Sequence, residues 1–209
     1  MQTLKIGSKG EDVKKLQSYL NLCVDGIFGK MTEESVKQFQ KENKLTPDGV
    51  VGATTWQALE KTYSNTLKKS TRKINEIILH CSATPEGKDF TTSQIKSWHL
   101  QRGFSDIGYH YVIYRDGSVH NGRDVNVSGA HCTNHNAKSI GICYIGGLDI
   151  TGKKAKDTRT DAQKKSLVNL VKQLMNIYKL SSSAVHCHNE YANKACPSFK
   201  ITDFRKELA

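Results

Sequence analysis

The stretch AVHCHNEYANKACPSF, residues 184–199, sets His186 and His188 just ahead of Cys196, with Lys194 between them. Its opening residues, Ala184 to His188, read as a strand. The residues after His188 read as a loop stiffened by Pro197. Neutral imidazole nitrogen and thiolate sulfur are the donors that a tetrahedral Zn²⁺ prefers. One short segment cannot surround an ion, so a further donor has to come from elsewhere. His80, closing the apolar run Ile77-Ile78-Leu79, is the best candidate. His80, His188 and Cys196 would leave one corner open, as a catalytic rather than a structural zinc site does. On a strand, however, His186 and His188 point to the same face, and ligand chemistry alone does not choose between them.

The neighbouring sequence builds a scaffold for such a site. Asn75 to Cys81 and Ser139 to Ile145 are short apolar runs suited to buried strands. Tyr109 to Asn121 reads as a hairpin turning at Asp116-Gly117. Thr91 with Gln94, and Thr160 with Gln163, are capping-box patterns. The second opens a long helix whose inner face carries Leu167, Leu170, Val171 and Leu174, and a short helix over residues 202–208 closes the chain. Strands alternating with helices predict an α/β fold, a mixed central β-sheet flanked by helices. The charged run 152–159 reads as a mobile loop.

Residues 1–62 have a different character. Asp25-Gly-Ile-Phe-Gly-Lys-Met-Thr32 is echoed by Asp48-Gly-Val-Val-Gly-Ala-Thr-Thr55. Each Asp-Gly marks a tight turn, and Thr32 and Thr54 suit helix N-caps. With Val13, Leu16 and Leu20 at helical spacing, this predicts a small three-helix domain. Residues 63–73 are polar and basic and read as a linker to a second domain over 74–209.

All eight histidines lie at or after position 80, which places the chemistry in the second domain. The net charge of +11 divides as +3 for residues 1–70 (11 Lys against 8 acidic residues) and +8 for the remainder. Such an excess suits a polyanionic partner. The basic residues are scattered rather than interleaved with aromatics, so no nucleic-acid partner is expected. No apolar run is long enough for a membrane span. The first residues lack the apolar core of an export signal, so the protein is expected to be made in the cytoplasm. Its six cysteines are expected to stay reduced.

Four blocks, IILHCSAT (77–84), GYHYVIYRDGSV (108–119), NAKSIGI (136–142) and HNEYANKACPSF (188–199), together resemble the zinc-dependent N-acetylmuramoyl-L-alanine amidases of type 2. That superfamily includes amidase-type phage lysozymes and the peptidoglycan recognition proteins. The resemblance implies Zn²⁺ held by His80, His188 and Cys196, with His186 as a neighbour, and catalytic roles for Tyr109 and Lys194. It makes His110, His131 and Asn136 candidates for substrate binding or for support of the ligands. Asp25 to Leu59 resembles the small peptidoglycan-binding domain often fused to wall hydrolases. The expected activity is cleavage of the amide between N-acetylmuramic acid and L-alanine. The enzyme would be a phage or prophage endolysin, a monomer acting on bacterial peptidoglycan after release. The alternative is a non-catalytic recognition protein on the same fold. Some of those lack the cysteine ligand, so Cys196 favours hydrolysis.

Overall fold

The computed structural model describes residues 2–20, 22, 24–67 and 69–208. Two units emerge, Met1–Lys68 and Lys69–Ala209. Among the described residues, no helix is long and apolar enough to cross a membrane.

In the first unit, the apolar periodicity becomes three helices, α1 (Glu11–Tyr19), α2 (Lys30–Glu42) and α3 (Ala53–Thr66). They close over Leu16, Phe28, Val36, Val51 and Trp56, all at most 2% exposed. The sequence echo is a structural repeat built on two buried glutamines. Gln17 Nε2 donates to Asp25 Oδ1 (2.7 Å) and to the Ile27 carbonyl (3.0 Å), and its Oε1 accepts the Gly26 N–H (2.8 Å). Gln40 does the same with Asp48 (2.8 Å), the Val50 carbonyl (2.9 Å) and the Gly49 N–H (2.9 Å). Gly26 and Gly49 take φ of +75° and +76°, which favours glycine at each turn.

The expected caps at Thr32 and Thr54 do not form. Helices α2 and α3 begin after Gly29 and Gly52 with no side-chain cap. Thr32 and Thr55 instead turn inward, where their hydroxyls meet Gln17 (3.3 Å) and Gln40 (3.2 Å). Gln40→Ala strands the buried Gly49 N–H and leaves the Val50 carbonyl only the longer bond from the Thr55 hydroxyl (3.3 Å). It is expected to destabilise this unit by about 3 kcal/mol, the scale for leaving buried polar groups unpaired. Chemical denaturation followed by Trp56 fluorescence in a Trp98→Phe background checks this.

The second unit is a five-stranded mixed sheet in the order β4-β3-β5-β1-β7. Its strands are β1 (Glu76–Cys81), β3 (Tyr111–Ile113), β4 (Val119–Asn121), β5 (Ser139–Tyr144) and β7 (Val185–Cys187). A separate two-stranded ladder joins β2 (Thr84–Pro85) to β6 (Gly147–Leu148). Strand β1 lies between β5 and β7 and is parallel to both, with His80 paired to Cys143. All six residues of β1 and all six of β5 are buried, as expected for parallel strands covered on both faces. Helices α4 (Thr92–Gln101) and α5 (Asp161–Tyr178) both start with the predicted capping boxes. Helix α6 (Ile201–Lys206) ends the fold.

Three segments depart from expectation. Helix α3 runs on to Thr66, into the polar stretch read as a linker. Arg72, at the end of that stretch, donates to the carbonyls of Val125 (2.8 Å), Asn136 (3.1 Å) and Ala137 (2.9 Å). The charged run 152–159 is tied down rather than loose. Lys156 N–H donates to the Gly147 carbonyl (3.1 Å), and the Arg159 guanidinium lies 3.6 Å over the Phe199 ring, a close cation–π contact.

Candidate active site

His80 is the penultimate residue of β1, and His188 is the first residue after β7. The β7 strand stops at Cys187 and the chain winds into one tight turn, His188–Glu190. His186 and His188 therefore do not share a strand face. His186 lies against Glu190 (3.5 Å) and Tyr191, with ring centroids 5.1 Å apart. The His188 ring sits 4.6 Å from that of His80. Donor atoms of His80, His188 and Cys196 lie within 4.8 Å of one another, and Cys196 Sγ is 3.8 Å from His80 Nδ1. Among the described residues, no other group of three histidine, cysteine or carboxylate side chains converges this way.

The donor set suits zinc. Burial, reinforced by His131 and His188, holds His80 well below the usual imidazole range, so the ring is neutral and able to ligate. Burial also lowers His188, with the Lys194 charge adding to it. The Cys81 side chain and burial push the Cys196 thiol up. Ionising that sulfur therefore calls for a compensating positive charge, which a bound cation supplies. The Cys81 N–H, 3.3 Å away, points at the same sulfur.

His80 is oriented from behind. With Nδ1 turned to Cys196, its Nε2–H donates to His131 Nδ1 (3.0 Å). His131 Nε2 in turn lies 3.4 Å from Ser139 Oγ, which donates to the His135 carbonyl (2.8 Å). This chain fixes the tautomer of the ring, as supporting bonds commonly do in metal centres. Asn136 holds the segment: its Oδ1 accepts the N–H groups of His131 (2.8 Å) and Cys132 (2.9 Å). Glycine is required beneath the His131 ring. A Cβ on Gly141 would come within 2.5 Å of that ring, and one on Gly129 within 2.4 Å. This accounts for a glycine in the middle of buried strand β5.

His110 has no ring nitrogen left to meet a substrate. Its Nδ1 accepts the Gly141 N–H (2.9 Å), and its Nε2–H donates to the Val127 carbonyl (3.1 Å). It is 1% exposed. Burial, together with the nearby Arg72 charge, pulls it down to about 4. An unfolded imidazole titrates near 6.5, so the folded state binds this proton later than the unfolded state. The stability it contributes is present above about pH 6.5 and is lost as pH falls toward 4. About 3 kcal/mol should vanish across that window. Melting temperatures taken from pH 7 to 4 should fall more steeply for the parent than for His110→Gln.

Tyr109, half-buried, packs its ring 5.1 Å from His80 and 5.4 Å from His99. Burial raises its phenol well above the ordinary value, so it remains a donor at neutral pH. Lys194 is exposed on the loop before Cys196, near enough for its charge to depress both His80 and His188. His99 and His120 play packing parts. His99 Nδ1 accepts the Gly108 N–H (2.9 Å), and His120 stacks on Tyr114 at 3.7 Å. Sequence reasoning missed Arg72, Glu76, Ser139 and Tyr191, which brace the segments around the cluster of His80, His188 and Cys196. Among the described residues, Cys81, Cys132, Cys143, Cys187 and Cys196 are all free thiols.

The model of the N-acetylmuramoyl-L-alanine amidase family matches residues 70–199, and that of a putative peptidoglycan binding domain matches residues 9–59. The endolysin of Escherichia phage T7 is 39% identical over 133 residues, spanning 64% of this chain and 86% of its own. Among solved structures, the N-acetylmuramoyl-L-alanine amidase LysC from Clostridium intestinale superposes with a TM-score of 0.56 at 29% identity, covering 66% of this chain and 86% of that one. Drosophila PGRP-LB superposes with a TM-score of 0.51 at 25% identity, over 62% of this chain and 78% of its own.

Proposed function

The chain belongs to the N-acetylmuramoyl-L-alanine amidase family, and on that premise we propose that it is a zinc-dependent endolysin whose ion is held by His80, His188 and Cys196. The convergence of these three donors beside Tyr109 is the observation that carries this reading. The bond to be cut joins the lactyl group of N-acetylmuramic acid to L-alanine in bacterial peptidoglycan. When bound, zinc supplies Lewis acidity, polarising the scissile carbonyl and making water a competent nucleophile near neutral pH.

The protein's own side chains do the rest. His131 keeps His80 in the ligating tautomer. Tyr109 donates its phenolic proton to the oxygen on which negative charge develops, and the Lys194 ammonium adds a positive field from the loop. Asn136 acts on His131 rather than on substrate. The N-terminal unit tethers the enzyme to its insoluble substrate, raising the local concentration of scissile bonds.

Mass analysis of a digest of purified peptidoglycan tests the reaction. A freed L-alanine amino terminus with intact glycan strands supports the amidase. New reducing sugar ends without free L-alanine would refute it.

A further inference from the structure

His188 and Cys196 ride on one loop, and we propose that Tyr191 is the positioning residue that latches this loop to strand β1 in its metal-binding arrangement, acting through Glu76. The proposal rests on the zinc reading above. Tyr191 lies between the two ligands in sequence, and its hydroxyl donates to Glu76 Oε2 at 3.0 Å. Glu76 opens β1, the strand that carries His80, and is 9% exposed. The same carboxylate oxygen accepts from His135 Nδ1 at 2.8 Å, and the His135 ring stacks on Tyr191 with centroids 3.8 Å apart at 25°. Lys138 Nζ lies 3.8 Å from the other oxygen.

A carboxylate this deeply placed is tolerated only while its hydrogen bonds are made. The bond between Tyr191 and Glu76 therefore couples the position of the loop to the strand bearing the third ligand. Within the loop, the Asn189 N–H donates to the Cys196 carbonyl (2.9 Å) and the Ala192 N–H to the His188 carbonyl (3.1 Å). The loop therefore moves as a piece, and fixing Tyr191 fixes both donors. Glu190 anchors its root separately, accepting the Cys187 N–H (2.8 Å). His135 also belongs to the segment that sets His131 against His80. One stretch, residues 131–139, thus braces all three ligands from behind.

The test is the zinc affinity of the metal-stripped full chain, measured by competition with a chromophoric chelator, for the parent, Tyr191→Phe, Glu76→Ala, their double variant and Cys196→Ala. Phenylalanine keeps the stack on His135 and removes only the hydroxyl. Tyr191→Phe is expected to weaken zinc binding by about tenfold or more, the scale for losing a supporting bond. The double variant should be no weaker than the worse single one, since both break the same bond. A bond of merely structural value would lower the melting temperature in chelator and leave zinc affinity at the parental value. That result, with Cys196→Ala losing zinc, would overturn the latch alone. Parental zinc affinity in Cys196→Ala would overturn the latch together with the ligand assignment beneath it.

Discussion

Cys196→Ala is expected to lose bound zinc and to hydrolyse the amide at least about 10³-fold more slowly than the parent, roughly 4 kcal/mol of lost transition-state stabilisation. The reason lies in the donor set. Cys196 is the one sulfur among three converging donors, and two imidazoles alone leave the ion under-coordinated and poorly held. Cys196 is also the one of the three that must lose a proton to ligate, which the Cys81 contact and its burial oppose unless a cation is bound. Retention on insoluble peptidoglycan should persist in this variant, because the N-terminal unit folds around its own core. Zinc content, turnover and sedimentation with cell walls, measured on one preparation, separate these effects. Parental zinc content would refute the assignment of the ligand.

Tyr109→Phe is expected to lower kcat by about 10²-fold while zinc content stays at one ion per chain, the loss typical of removing one donor to a developing oxyanion. Phenylalanine keeps the ring contacts with His80 and His99, so the packing survives and only the O–H is removed. Lys194→Ala should act in the same direction, since its charge already reaches His80 and His188. Because the phenol is held well above its ordinary value, Tyr109 should contribute no limb to the rate profile at about pH 10, where an unperturbed Tyr would lose its proton. A variant that kept kcat but bound substrate more weakly would move Tyr109 from catalysis to binding.

Much of this arrangement is legible in the sequence because its parts follow local rules. The apolar run ending at His80 and the buried run after Ser139 declare two buried strands, and capping boxes at Thr91 and Thr160 declare two helix starts. A similar pattern at Thr54 misleads. Next to it, Thr55 is drawn inside by Gln40, and the helix begins earlier, directly after Gly52. A long-range bond outweighs a local preference there.

The choice between His186 and His188 depends on where β7 stops. A strand one residue longer would have placed both rings on one face. Arg72 sat in a polar stretch without periodicity, and its partners are carbonyls far along the chain, which no local pattern encodes. Glu76 did carry a signal, an acid at the head of a strand read as buried. Such a group has to find partners, and those proved to be His135 and Tyr191.

The most direct measurement is X-ray absorption at the zinc edge on the purified, zinc-loaded protein, with Cys196→Ala alongside. The ligand assignment predicts one zinc per chain with a shell of one sulfur and two imidazole nitrogens, and a fourth position not filled by the protein. A shell without sulfur, or one completed by four protein donors, would contradict it.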